Sequence, residues 1–336
     1  MKICIYGAGA IGGVMATRLV TAGETEVSLV ARGAHLAAIR AHGLTMESRG
    51  QAEEATEVVR PAAATDDSRE LPPQDFVAVT LKAHSLPEHA GRIAGLLAPG
   101  GVAVFVLNGI PWWWEQGLAD RLGRAPATLP LMDPSGALWR TLVDRTVGCV
   151  VYCEAEVRAP GVVLYSGYNQ WIVGEPSNAV TERVTAFVDV LQRAGVKGEA
   201  SSDIRMAVWK KLLRNAAANP VAALTRLTAG GLQRDEAVRE VMAGLVRDTA
   251  AVADACGWNV DDDVASFLAY RPPNVPLRPL TGGRPSMLQD VLAGRPMEVD
   301  AILGQTHAFG RALGVPTPTL DVVLPLARGL NRAISG

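Results

Sequence analysis

Lys2-Ile3-Cys4-Ile5-Tyr6-Gly7-Ala8-Gly9-Ala10-Ile11-Gly12 runs a short apolar strand pattern straight into a G-x-G-x-x-G turn. A helical pattern of apolar residues (Val14, Met15, Leu19, Val20) follows as far as Gly23, and Glu26–Ala31 reads as a second strand. Strand, glycine turn, helix and strand within about 30 residues is the context that makes this motif specific for a dinucleotide. Gly7 permits the tight turn. Gly9 lets the backbone come close to a pyrophosphate, and Gly12 lets the helix pack against the strand. The helix N-terminus offers free N–H groups and the positive end of its dipole to the phosphates, with Ala8, Ala10 and Ile11 completing the expected cofactor-binding stretch.

The end of the second strand bears on which nicotinamide cofactor is held. An Asp or Glu there accepts from a ribose 2′-hydroxyl, whereas an Arg meets a 2′-phosphate. Val30-Ala31-Arg32-Gly33 has no acid, so Arg32 points to NADP(H), the alternative being an ordinary surface arginine. Asp75–Leu81 and Val102–Leu107 are continuous apolar runs, as expected of central parallel strands buried on both faces. Each ends on a polar residue, Lys82 and Asn108. Ligands of open α/β sheets bind beyond the carboxyl ends of strands, which directs both residues toward the nicotinamide. A surface role for Lys82, and a turn role for Asn108 before Gly109, are the structural alternatives. Residues 147–174 read as further strands broken at Ala159-Pro160-Gly161, and 179–194 as a helix.

The 336 residues suggest two domains, with 49% hydrophobic and 20% charged residues in ordinary globular proportion. A formal net charge of −2 and dispersed basic residues argue against a nucleic-acid partner. Cys4, Cys149, Cys153 and Cys256 form no C-x-x-C and share no ligand spacing with the histidines, so no metal site or disulfide framework is expected. Met1-Lys2 and the small apolar residues after it mimic a signal peptide, but the glycines are too dense for an apolar helix. No uncharged apolar run reaches the ~18 residues of a membrane span. A cytoplasmic protein acting on a small molecule is the expectation.

From Ser202 the pattern turns helical and stays so, with Pro- and Gly-rich breaks at 271–285, of which 272–285 reads as a rigid, extended loop. The expected division is therefore 1–198, an α/β half, and 199–336, an all-helical half. Within the second half, Trp209-Lys210-Lys211-Leu212-Leu213-Arg214-Asn215-Ala216-Ala217-Ala218-Asn219-Pro220 sets Lys211, Asn215 and Asn219 on one helical stripe. An apolar face of Trp209, Leu212, Leu213 and Ala216 lies beside it. A cation and two amides in line can grip a small polar substrate and hand it a proton. The alternative is a solvated face, with Asn219 ending the helix before Pro220. Ser286 reads as a helix N-cap, and Glu298 lies near the first turn of a later helix, where a carboxylate suits the dipole. The three indoles Trp112-Trp113-Trp114 cannot share one helical face, so some are expected to border a pocket, a partner or solvent.

Taken in order, G-A-G-A-I-G, V-A-R at 30–32, L-K at 81–82, N-G at 108–109, the 209–220 run and S-M-L-Q-D…E-V-D at 286–300 resemble the ketopantoate reductase family across essentially the whole chain. The two C-terminal motifs carry the specificity. The resemblance implies an N-terminal Rossmann-type, doubly wound NADP domain and a C-terminal helical domain, with the active site in the cleft between them. It implies Lys211 as proton donor, Asn215 and Asn219 as substrate-binding amides, and Ser286 as the carboxylate-holding serine. Glu298 matches the glutamate tied to both catalysis and cofactor binding. Lys82 and Asn108 match residues flanking the nicotinamide, Asn108 toward substrate as well, and Ala155 loosely matches a backbone cofactor contact. The implied substrate is a small 2-keto acid, and a homodimer is compatible with the pattern. Some members carry asparagines where this chain has Ala229 and Gly283, a departure at the acyl end of the substrate site. A same-fold reductase of another 2-keto acid or an imine, or a non-catalytic NADP(H) sensor, are the other readings.

Overall fold

The computed structural model describes residues 1–49, 54–118, 129–270 and 283–335. Its backbone forms two compact units: 1–107 with 135–204, and 108–134 with 205–336. A single cut at 198–199 leaves 108–134 with the wrong neighbours, because that segment makes its contacts with the helical unit.

The first unit is built on a ten-stranded mixed sheet in the order β4-β3-β9-β8-β7-β6-β1-β2-β5, with β10 also pairing β9. The strands are β1 (Lys2–Tyr6), β2 (Glu26–Val30), β3 (Leu44–Arg49), β4 (Glu54–Val59), β5 (Ala63–Thr65), β6 (Gln74–Val79), β7 (Leu97–Val106), β8 (Thr146–Ala159), β9 (Val162–Gly174) and β10 (Lys197–Ser201). The run β8-β7-β6-β1-β2-β5 is parallel throughout. Its central strands are apolar on both faces, and Ile3, Ile5, Val77, Ala78 and Val104 have no exposed surface. The expected break at Ala159-Pro160-Gly161 is the turn of the antiparallel β8–β9 hairpin. The crossovers α1 (Ala10–Ala22), α2 (Gly33–His42) and α3 (Leu86–Leu96) place three helix starts beyond the carboxyl ends of β1, β2 and β6.

The second unit is helical. The helix Ile204–Thr225 does not stop before Pro220 but runs through it. An interior proline costs a helix about 3 kcal/mol. Here Leu212, Leu213, Ala216, Ala217 and Val221–Ala223 are all buried, and that burial holds the remaining turns in place. Trp112, Trp113 and Trp114 all lie in the core, contrary to the expectation that some border a pocket or solvent. They can do so because 112–117 is a series of turns, not one helical face. Trp114 packs 5.5 Å from Trp209, 5.4 Å from Trp258 and 6.0 Å from Phe309, centroid to centroid. The buried Arg205 guanidinium donates to the Trp114 carbonyl through Nε at 2.9 Å and Nη2 at 2.6 Å. This anchors the 108–134 excursion to the helical unit. Most of the expected 272–285 loop lies outside the described residues. Among the described residues, no helix is long and apolar enough to cross a membrane.

Candidate functional site

In the first unit the glycine turn has the shape a phosphate group needs. Gly7 adopts φ +113°, a conformation that L side chains avoid. A methyl group on Gly12 would stand 2.2 Å from the Gly7 carbonyl oxygen and 2.5 Å from Thr80 Oγ1, so only glycine fits there. A methyl group on Gly9, by contrast, would meet nothing within 4 Å. Gly9 is the N-cap of α1 and has no side chain to occupy the space beside the helix start. A ligand backbone can therefore approach closest at Gly9, and the residues present fit a dinucleotide pyrophosphate.

Two residues that sequence reasoning missed hold this turn. Thr80 Oγ1 donates to the Gly7 carbonyl, while Thr80 N–H donates to Tyr6 O at 3.1 Å. His35, on the first turn of α2, lies 2.7 Å through Nε2 from the Ala8 carbonyl and accepts the Gly161 N–H at Nδ1, 3.0 Å away. A carbonyl can only accept and an amide N–H can only donate, so the ring is fixed as the neutral Nε2–H tautomer. Burial lowers its pKa, with the Ala8 contact opposing. A polar residue closing an apolar strand was the available signal for Thr80; His35 had none.

Arg32 is exposed and is the N-cap of α2, two residues past the end of β2. Lys82 is partly buried at the carboxyl end of β6. Ala155 is partly buried in β8, paired with Tyr165, and packs on the sheet core.

In the second unit the polar stripe of Ile204–Thr225 is tied to two distant segments. Asn215 Nδ2 donates to Asn108 Oδ1 at 3.4 Å, and Asn108 Nδ2 donates to Glu298 Oε2 at 3.3 Å. The amide donors thus run in one direction and end on a carboxylate. Glu298 is 7% exposed, so little solvent competes for it. The meeting depends on the backbone around it. Ile110 N–H donates to the Ala301 carbonyl at 2.9 Å, and a methyl group on Gly109 would lie 2.1 Å from that same oxygen. Ala301 belongs to a π-helical turn, Asp300–Gly304, of the kind that often marks functional positions in helices. The Met297 N–H is held by Asn331 Oδ1 at 2.7 Å, which steadies the residue before Glu298.

One helical turn further on, the buried Asn219 side chain accepts Ser286 Oγ–H at 3.1 Å and the Met287 N–H at 3.2 Å through the same Oδ1. Ser286 is therefore not a cap. It is the first residue of the helix Ser286–Leu292, makes no side-chain capping bond, and points its hydroxyl at Asn219. Asn219 supplies the cap from another helix. Lys211 lies one turn before Asn215 and is partly buried. The structure thus gathers Asn108, Asn215 and Glu298 into one chain and Asn219 with Ser286 into a pair. Among the described residues no group of His, Cys, Asp and Glu is arranged to hold a metal ion.

Residues 3–178 match the family model described as Ketopantoate reductase PanE/ApbA, and 203–331 match Ketopantoate reductase PanE/ApbA C terminal. A curated 2-dehydropantoate 2-reductase of Mesorhizobium japonicum is 38% identical, with 98% of each chain covered. The solved PanE/ApbA family ketopantoate reductase of Ralstonia eutropha JMP134 superposes with a TM-score of 0.80 at 28% identity, covering 100% of both chains. A D-mandelate dehydrogenase, solved with NADH and anilino(oxo)acetate, has a TM-score of 0.82 over 100% of both chains; at 20% identity this is a likeness of fold alone. With both family models matched in sequence order over most of its length, the chain belongs to the ketopantoate reductase family of oxidoreductases.

Proposed function

We propose that this protein reduces 2-dehydropantoate to pantoate with NADPH, and that Lys211 is the proton donor. The observation that carries the reading is the helix Ile204–Thr225. It presents Lys211, Asn215 and Asn219 at four-residue intervals, and residues from two distant segments hold both amides in place. When bound, the reduced nicotinamide supplies a hydride to the 2-keto carbon. The Lys211 ammonium hydrogen-bonds the keto oxygen and gives its proton to the alkoxide as charge develops. A positioned acid of this kind is worth about 10²–10⁴ in rate. The Glu298 carboxylate favours the charged form of a nearby lysine by opposite-charge stabilisation. Asn108 holds that carboxylate in one orientation.

Asn219 already accepts two hydrogen bonds through Oδ1, so its Nδ2 is the group that remains to donate to substrate. Ser286 has a single hydroxyl proton, directed at Asn219 in the free protein. To hold a substrate carboxylate, the hydroxyl must rotate away from Asn219. Gly7–Gly12 receive the pyrophosphate in this reading, and Arg32 receives the 2′-phosphate. Lys82 and Ala155 contribute at the nicotinamide side of the same unit.

A second reading, reduction of a 2-keto acid with a less polar tail, is favoured by one contact. Ala229 N–H donates to the Gly283 carbonyl at 3.1 Å. The two positions where some relatives carry asparagine are therefore adjacent here, and only backbone joins them. The test is loss of reduced-nicotinamide absorbance with 2-dehydropantoate against a panel of 2-keto acids, with Lys211→Ala alongside. Turnover of 2-dehydropantoate that falls by about 10²–10⁴ in the variant, with NADPH affinity retained, supports the proposal. Unchanged turnover removes Lys211 from its role, and turnover of other 2-keto acids alone moves the assignment to the second reading.

A further inference from the structure

The glycine turn leaves unused a group of polar side chains at the carboxyl edge of β1. Tyr6, the last residue of β1, is buried, and its hydroxyl lies 3.0 Å from Nδ1 of His89. The two rings meet edge-on with centroids 5.5 Å apart. His89 sits in the first turn of α3, and Arg92 follows three residues later on the same side of that helix. Ser68, in the turn after β5, and Arg92 reach the same phenol. Val30, the register partner of Tyr6, ends β2, and Arg32 stands two residues beyond it. Two guanidiniums and an imidazole therefore gather around the end of one strand. Among the described residues, no carboxylate forms an ion pair with either Arg32 or Arg92. Asp67 is paired with Arg69 and acts on Arg92 only at longer range, and Glu88 acts on His89, so the two guanidiniums keep positive charge that an incoming anion can meet.

We propose that Arg32, His89 and Arg92 together form the pocket for the adenosine 2′-phosphate of NADP(H), and that His89 takes up a proton from solvent when the phosphate arrives. This inference rests on the NADP reading above. The groups that act on His89 are Tyr6 from β1, Arg32 from the start of α2, and Glu88 and Arg92 from α3. Burial, then Arg32, then Arg92 lower its pKa, and only Glu88 opposes them. The ring is thus held neutral in the free protein. A phosphate monoester is close to dianionic near neutrality. Placed between the two guanidiniums it reverses the field at the imidazole and favours the imidazolium. Tyr6 suits both states, because a phenol can donate to a neutral Nδ1 or accept from a protonated one. Burial raises the Tyr6 pKa and keeps the phenol neutral in either case.

The experiment is calorimetric titration of the whole protein with NADPH and with NADH, in two buffers of different ionisation enthalpy, from about pH 7 to 8.5. NADPH binding is expected to take up protons and NADH binding is not. The NADPH/NADH affinity ratio is expected to fall as pH rises. His89→Gln should abolish the uptake and flatten that pH dependence. Arg92→Ala should lower the ratio by about tenfold, the scale of one charge-assisted hydrogen bond. Unchanged NADH affinity in both variants shows that the fold and the pyrophosphate site are intact. A strong NADPH preference that survives both variants, or proton uptake that persists in His89→Gln, overturns this pocket and leaves the NADP reading standing. Equal or tighter binding of NADH by the unmodified protein overturns the NADP reading itself.

Discussion

Gly9 and Gly12 belong to one motif, yet replacement by alanine should affect the protein in different ways. In Gly12→Ala the new methyl group would stand 2.2 Å from a backbone oxygen, where about 3.2 Å is needed, and 2.5 Å from Thr80 Oγ1. The oxygen cannot retreat freely. The Gly7 N–H is bonded to Val30 O at 3.0 Å, and its carbonyl accepts from Thr80. Forced overpacking costs about 1–3 kcal/mol, and a rigid backbone partner puts this site at the upper end. Removing a helical glycine returns about 1 kcal/mol. The net loss is about 2 kcal/mol, or about 4–8 °C in Tm for a unit of this size. In Gly9→Ala the methyl group enters open space and φ is −72°, which alanine accepts. Reduced freedom of the unfolded chain stabilises by about 0.4–1 kcal/mol, and a poorer N-cap costs a similar amount. Stability should stay within about 0.5 kcal/mol of the parent. NADPH affinity should nevertheless fall at least about tenfold, since the methyl group occupies the space left for the pyrophosphate. Scanning calorimetry and NADPH titration on both variants separate the two effects. A Gly9→Ala protein that binds NADPH as tightly as the parent would show that the open space at the helix start is not where phosphate sits.

Asn219→Ala removes the acceptor of both Ser286 Oγ–H and the buried Met287 N–H, so chemical denaturation should show a loss of about 1–3 kcal/mol. An unchanged midpoint would mean that the helix Ser286–Leu292 finds another cap. His35 has a folded-state pKa below its ordinary value, so its stabilisation is complete above about pH 6.5 and is lost as pH falls through the folded value. Between pH 7.5 and 5, Tm should fall more steeply in the parent than in His35→Gln; parallel curves would rule out this source. Burial pushes the Cys4 and Cys256 thiols up to about 12, and Cys149 is also buried. Alkylation of the native protein near neutral pH should therefore reach Cys153 first, as mass spectrometry of the labelled peptides would show.

Local patterns made much of the first unit readable. An apolar strand, three glycines at fixed spacing and an amphipathic helix depend on neighbours in sequence, and β1, α1 and β2 appear within a residue of their expected ends. The stripe of Lys211, Asn215 and Asn219 was readable for the same reason, because helical periodicity alone places residues four apart on one side. Pro220 was misleading because its local cost is real, while the burial that offsets it comes from elsewhere in the chain. The same holds for Ser286, whose capping pattern is local and whose actual partner, Asn219, is 67 residues away.

By itself, then, the sequence determined the glycine turn with its flanking strands and helix, the buried character of the central strands and the identity of the polar stripe, all consequences of backbone sterics and periodicity, while the order of the strands came from the structure. Only tertiary structure decided that 108–134 belongs with the helices, that three adjacent tryptophans are all core, and that Asn108 meets Glu298. Those outcomes depend on long-range burial and on buried amides finding partners, and no window of neighbouring residues contains either.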